Sequence, residues 1–98
     1  MYHSMLESEE LDRLFSAVLT LETVEECYRF FEDLCTISEL KSIAQRLKVA
    51  VLLKQGHTCH DISQDTGAST ATISRVNKCL HYGAGGYESI LKKLDMED

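Results

Sequence analysis

The chain is expected to fold as an all-α domain of about six helices. Three observations predict this. Proline is absent from all 98 residues. Three of the five glycines cluster between positions 83 and 86, which leaves the rest of the chain almost free of helix breakers. Hydrophobic residues make up 44% of the chain and recur at three- and four-residue steps through long windows. The length fits one domain, residues 1–98, or one half of an interlocked pair. A chain this short has limited surface to bury alone, so a partner subunit is a direct way to gain core. No apolar run approaches the roughly 20 residues that span a bilayer. The start, Met1-Tyr2-His3-Ser4-Met5, lacks a basic region followed by an apolar segment, so a cytoplasmic protein is expected.

Each helix has its own signals. Leu11, Leu14, Phe15, Val18 and Leu19 form the apolar stripe of a first helix from about Ser8 to Thr20, with Ser8 as N-cap. Thr23 followed by Glu26 is a capping box. It opens a second helix over Val24 to Leu34, whose inward residues are Val24, Cys27, Tyr28, Phe31 and Leu34. Thr36 followed by Glu39 repeats the device and opens the longest helix, Ile37 to Gln55, which Gly56 ends. Leu40, Ile43, Ala44, Leu47 and the run Val49 to Leu53 make this helix apolar around much of its girth. Such a helix is buried on several sides. In so short a chain the extra face most simply meets another subunit.

Thr58 caps a short helix over Cys59 to Thr66, with Ile62 inward and Ser63 where close packing needs a small residue. Gly67 supplies the turn, because glycine adopts a positive φ without strain. Ser69 caps the following helix, which runs to about Leu80 with Ile73 and Val76 inward. His81 to Gly86 reads as a flexible connection, and a last helix over Tyr87 to Leu94 carries Tyr87, Ile90, Leu91 and Leu94 on its apolar side.

The spacing from Ile62 through Gly67 to Ile73 and Val76 is that of a helix-turn-helix. Its second helix begins in small side chains, so nothing bulky holds its first turn off a DNA major groove. Ser69, Thr70, Ala71, Thr72 and Ser74 fall on its leading end and exposed side. Thr and Ala methyls suit thymine methyls, and hydroxyls suit base edges, waters or phosphates. Arg75 and Lys78, a turn further along, suit phosphates, as does His60 on the preceding helix. The Arg, Asn and Gln side chains that grip bases with two hydrogen bonds are missing from this leading end. Readout would therefore lean on water, DNA shape and deformability.

Net charge is −6, unusual for a DNA binder, but it is unevenly placed. Residues 1–34 hold nine acids and two bases, whereas residues 35–98 hold seven acids and eight bases. A modest non-specific affinity and a shallow salt slope follow. Cys27, Cys35, Cys59 and Cys79 form no C-x-x-C pair and read as reduced, partly buried thiols. His57, Cys59, His60, Cys79 and His81 are zinc-ligand types, but their spacing matches no ligand pattern, so no metal is expected. The carboxylates lie on solvated faces and caps, and short helices give no pocket to position a catalytic group, so no enzyme is expected.

At Gly67-Ala68, Ala71-Thr72-Ile73 and Arg75, the chain resembles the Trp repressor family, specifically its YerC/YecD branch of small helix-turn-helix regulators. The stretch Thr36 to Gly56 resembles the family's long central helix, including Arg46 and the closing Leu52-Leu53-Lys54-Gln55-Gly56. The resemblance runs from about Leu11 to Leu94. It implies an intertwined homodimer: helices within 8–56 dimerise, 57–82 forms the helix-turn-helix, and 87–94 is a C-terminal helix. The two reading heads would sit about 34 Å apart and face a palindrome in double-stranded DNA.

The resemblance also implies a candidate effector pocket. In tryptophan-responsive members the amino acid lies between the central helix and the second motif helix and shifts a population toward the DNA-competent form. Thr36, Arg46 and Arg75 match polar pocket positions, and Arg46 would bond the ligand carboxylate. Val76 stands where the family has glycine, and Cys79 where it has serine. A valine takes volume that the indole needs, and a thiol is a poor acceptor for the amino group. These departures point to another small effector, or to none.

The sequence is thus read as a dimeric DNA-binding transcriptional regulator, most simply a repressor acting by occlusion, with no cofactor and no membrane partner. Two alternatives stay open: a helix-turn-helix kept for docking on protein without DNA binding, and an amino-acid-gated repressor of the tryptophan type.

Overall fold

A computed structural model of the chain describes residues 2–95. It contains six α-helices: α1 Glu9–Val18, α2 Val24–Leu34, α3 Ile37–Lys54, α4 Cys59–Thr66, α5 Thr70–Tyr82 and α6 Gly86–Leu94. No strand occurs among the described residues, so the all-α expectation holds. The chain divides into two compact units, one ending at Thr36 and the other starting at Ile37.

The first unit consists of α1 and α2. The Leu11 amide donates to Ser8 Oγ at 3.1 Å, which caps α1. The Glu26 amide donates to Thr23 Oγ1 at 3.1 Å, and the Glu26 carboxylate accepts from the Glu22 amide at 2.9 Å. The capping box therefore reaches one residue further back than its usual recipient. Neither helix has a buried residue. Val24 and Tyr28, expected inward, are 73% and 65% exposed, and Cys27 and Leu34 are exposed as well. The cause is general: amphipathic spacing says that a face needs cover, not which chain supplies it. Only Phe30 and Phe31 find a ring contact here, edge to face at 5.5 Å.

The second unit holds the core. Val49, Ala50, Ile62, Ala68, Ile73, Val76 and Leu91 are buried together, with Val51, Leu52, Leu53, Leu80 and Tyr87 packed around them. Helix α3 is its axis and touches α4, α5 and α6. Its apolar girth is divided: Val49 and Ala50 are buried, whereas Ile37 and Ile43 stay exposed. The chain leaves α3 through Gly56 at φ 87°. The His57 amide reaches Leu52 O and the Gly56 amide reaches Leu53 O, both at 3.1 Å, which is the glycine-dependent way of closing a helix.

Helix α5 runs two residues past its expected end. Nothing in His81-Tyr82 breaks a helix, so both form its last turn, with His81 Nδ1 2.9 Å from Asn77 O. Gly83 is the first breaker and caps the helix. On α6, Leu91 is buried while Ile90 and Leu94 are exposed, so half of the expected apolar side is covered. Lys54, at the end of α3, pairs with Glu88 on α6.

That ion pair gives the fold a pH-dependent element. The hydrogen bond from Lys54, then its charge, holds the Glu88 carboxyl below its ordinary 4.5. A lowered native value favours folding above 4.5, and the contribution disappears as the pH falls through the native value. We expect Glu88→Gln to be less stable than the parent at neutral pH and equal to it in strong acid. Thermal unfolding of both proteins across the acid range tests this.

Candidate nucleic-acid interface

The second unit presents α4, a tight turn and α5. Helix α4 starts at Thr58, whose Oγ1 accepts from the Asp61 amide at 3.2 Å. It is anchored by the buried Ile62. Gly67 ends it at φ 73°, a left-handed conformation that would cost any other residue about 1 kcal/mol.

The turn is tied more firmly than its sequence suggests. Ser63 Oγ donates to Ala68 O at 3.0 Å. Thr66 Oγ1 donates to Ile62 O at 2.7 Å and accepts from the Ala68 amide at 3.1 Å. Gln45, on α3, donates from Nε2 to Thr66 O at 3.1 Å. Ser63 is thus a hydrogen-bonding strap as well as a small packer. Thr66 and Gln45 were missed by sequence reasoning. A hydroxyl one residue before Gly67 was the available signal for Thr66; nothing marked Gln45, which lies 21 residues away.

Helix α5 opens at Ser69, whose Oγ accepts from the Thr72 amide at 3.1 Å and donates to Thr72 Oγ1 at 3.1 Å. Ile73 and Val76 fix its inner face in the core. Thr70, Ala71, Ser74, Arg75 and Lys78 then fall on the exposed side, while Thr72 is half-buried. His60 is exposed in the first turn of α4. No acidic residue lies in the first turn of α5. Among the described residues neither Arg75 nor Lys78 is ion-paired, whereas Lys48 lies 3.9 Å from Asp65. The arrangement is a narrow, acid-free helix start backed by two cations, suited chemically to the edge of an anionic groove.

A separate concavity of about 490 Å³ lies between α3, α5 and α6, lined by Ile43, Arg46, Leu47, Cys79, Tyr87 and Ile90 among others. Of the residues expected around an effector, it brings Arg46 and Cys79 together. Val76 goes to the core, Arg75 to the outer side of α5, and Thr36 belongs to the first unit. Arg46 Nη2 donates to Ser42 Oγ at 3.2 Å.

The thiols correct one expectation. All four are free, but Cys27 and Cys59 are exposed, and only Cys35 and Cys79 are half-buried. Cys59 stands in the first turn of α4 and is exposed. Among the described residues no three His, Cys, Asp or Glu side chains assemble a metal site.

Known proteins share this arrangement. The family model for the Trp repressor protein matches residues 9–95. The uncharacterized protein YerC of Bacillus subtilis is 57% identical over 89 residues, covering 91% of this chain and 86% of that protein. A TrpR-like protein from Eubacterium eligens, known from its crystal structure, superposes with a TM-score of 0.91 at 47% identity. That match covers 95% of this chain and 96% of the other.

The Ser69 cap is testable by itself. Ser69→Ala removes the acceptor for the Thr72 amide and the donor to Thr72 Oγ1. We expect a loss of about 1 kcal/mol in denaturant unfolding, with local hydrogen exchange fastest in the first turn of α5.

Proposed function

The chain belongs to the Trp repressor family, and from that premise we propose that it is a homodimeric, sequence-specific DNA-binding transcriptional regulator. It acts by binding rather than catalysis, works in the cytoplasm, and represses by occluding a palindromic operator. The observation that carries this reading is the exposed side of α5: Thr70, Ala71, Ser74, Arg75 and Lys78, on a helix held from behind by Ile73 and Val76. His60, Ser69 and Thr72 complete the proposed contact set, with Ser69 and Thr72 mainly shaping the helix start.

Dimerisation is supported by the apolar side chains the chain leaves uncovered. Leu19 is 84% exposed, and Phe15, Val24, Tyr28, Ile37 and Ile43 are more than half exposed. Soluble proteins seldom leave so many large apolar groups in water, and a second copy is the simplest cover. No helix of the described residues is long and apolar enough to cross a membrane.

A second reading concerns the concavity beside Arg46. Its volume of about 490 Å³ is within the range of small-molecule sites, and its single guanidinium would orient an anionic group. It supports an effector-gated regulator, including an amino-acid-gated one.

Selection of binding sites from random double-stranded DNA tests the main reading. The expected result is a palindrome with half-sites about one helical turn apart. Lys78→Ala should weaken all sequences alike and reduce the salt slope by about one. Absence of enrichment at low salt would favour the protein-docking alternative. Calorimetry with the amino acids tests the second reading: binding that Arg46→Ala abolishes supports it, and no heat with any of them rejects amino-acid gating.

A further inference from the structure

We propose that the α5 head derives its base discrimination from methyl groups, and that its preferred partner is the C5-methyl of thymine in the major groove. The inference rests on the DNA-binding reading above and narrows it.

The argument starts from the polar groups available at the front of α5. Ser69 has one hydroxyl proton, and it is donated to Thr72 Oγ1; the Ser69 oxygen already accepts the Thr72 amide. The leading hydroxyl therefore has its proton engaged inside the protein and keeps one lone pair, an acceptor only. Thr72 is half-buried behind it. The exposed hydroxyls here that keep their proton are those of Thr70 and Ser74. A hydroxyl donates or accepts at will, so it satisfies any base edge and separates bases poorly. The exposed His60 ring is likewise donor on one nitrogen and acceptor on the other when neutral.

Side chains with a fixed two-point pattern lie elsewhere. Asn77 lines a cleft with Lys54, His81 and Glu88, on the side of α5 that meets α3 and α6. Arg75 and Lys78 are one and two turns beyond the helix start, where phosphates are the natural partners.

The apolar groups at the front are the methyls of Thr70 and Ala71. Both residues are exposed and adjacent in the first turn. A methyl gains by contact with apolar surface and gains nothing from a bare base edge. In the major groove that surface is the thymine C5-methyl, which cytosine and the purines lack. Each half-site should therefore carry a thymine opposite this turn.

Deoxyuridine tests this because it removes only that methyl and keeps every pairing and hydrogen-bonding group. In the duplex recovered by random selection, each thymine is replaced by deoxyuridine in turn, and affinity is measured for the full-length protein. One or two positions per half-site should lose about fourfold each, the equivalent of one buried methyl-sized group. Thr70→Ser deletes a protein methyl and keeps the hydroxyl, so its partner position should become insensitive to the replacement. Ala71→Gly should do the same at the neighbouring position, and the Thr70 variant keeps the test alive if that protein folds poorly. A selected palindrome with no sensitivity to deoxyuridine would overturn the methyl inference and leave DNA binding standing. Equal sensitivity in the parent and both variants would also overturn it. Failure to select any DNA would overturn both.

Discussion

The orientation of α5 about its own axis is the constraint on which the rest of the second unit depends. Ile73 and Val76 sink into the core shared with Val49, Ala50, Ile62 and Leu91. Three residues along a helix is most of a turn, so two buried positions at that spacing fix which side faces out. Once they are set, Thr70, Ala71, Ser74 and Lys78 have no choice of direction. A one-position slip would send Ser74 and Asn77 inward and leave two branched apolar chains in water. That exchange costs several kcal/mol of burial and strands polar groups in the core. The exposed face is thus a by-product of the buried one.

Much of this was legible in the residues. Six helices with caps at Ser8, Thr23, Thr58 and Ser69 follow from local chemistry, in which a hydroxyl meets an orphan amide two or three positions on. Helix ends were less readable: His81 and Tyr82 carry no stop signal, and only the neighbouring glycine supplies one. The buried set of the second unit, Ile62, Ile73 and Val76 above all, follows from periodicity. Periodicity misled at Val24, Cys27 and Tyr28, because it records an apolar face and is silent about which molecule covers it. The bonds of the turn were legible in part. Ser63 and Thr66 are hydroxyls beside Gly67, but the amide of Gln45 reaches across from another helix, and no local rule predicts such a distant partner.

Within one chain, residues with the weakest burial and residues with the strongest occupy different units. Helices α1 and α2 have no buried position, whereas α3 to α6 share a closed core. The acidic excess lies in the stretch that also holds the exposed Phe15, Leu19, Val24 and Tyr28, and the remainder of the chain is close to neutral. A surface that is both acidic and apolar favours association through its oily stripe while its charges stay in water. The negative charge is thus concentrated in the segment without the helix-turn-helix.

The Gln45 amide on the Thr66 carbonyl has a mechanical meaning. It spans from the middle of the longest helix to the last residue before the left-handed glycine, so the elbow of the motif is braced against the axle of the unit. Swivelling the head independently of α3 would strip a carbonyl of its partner. That bond, worth about 1 kcal/mol, opposes independent rotation of the head on its axle.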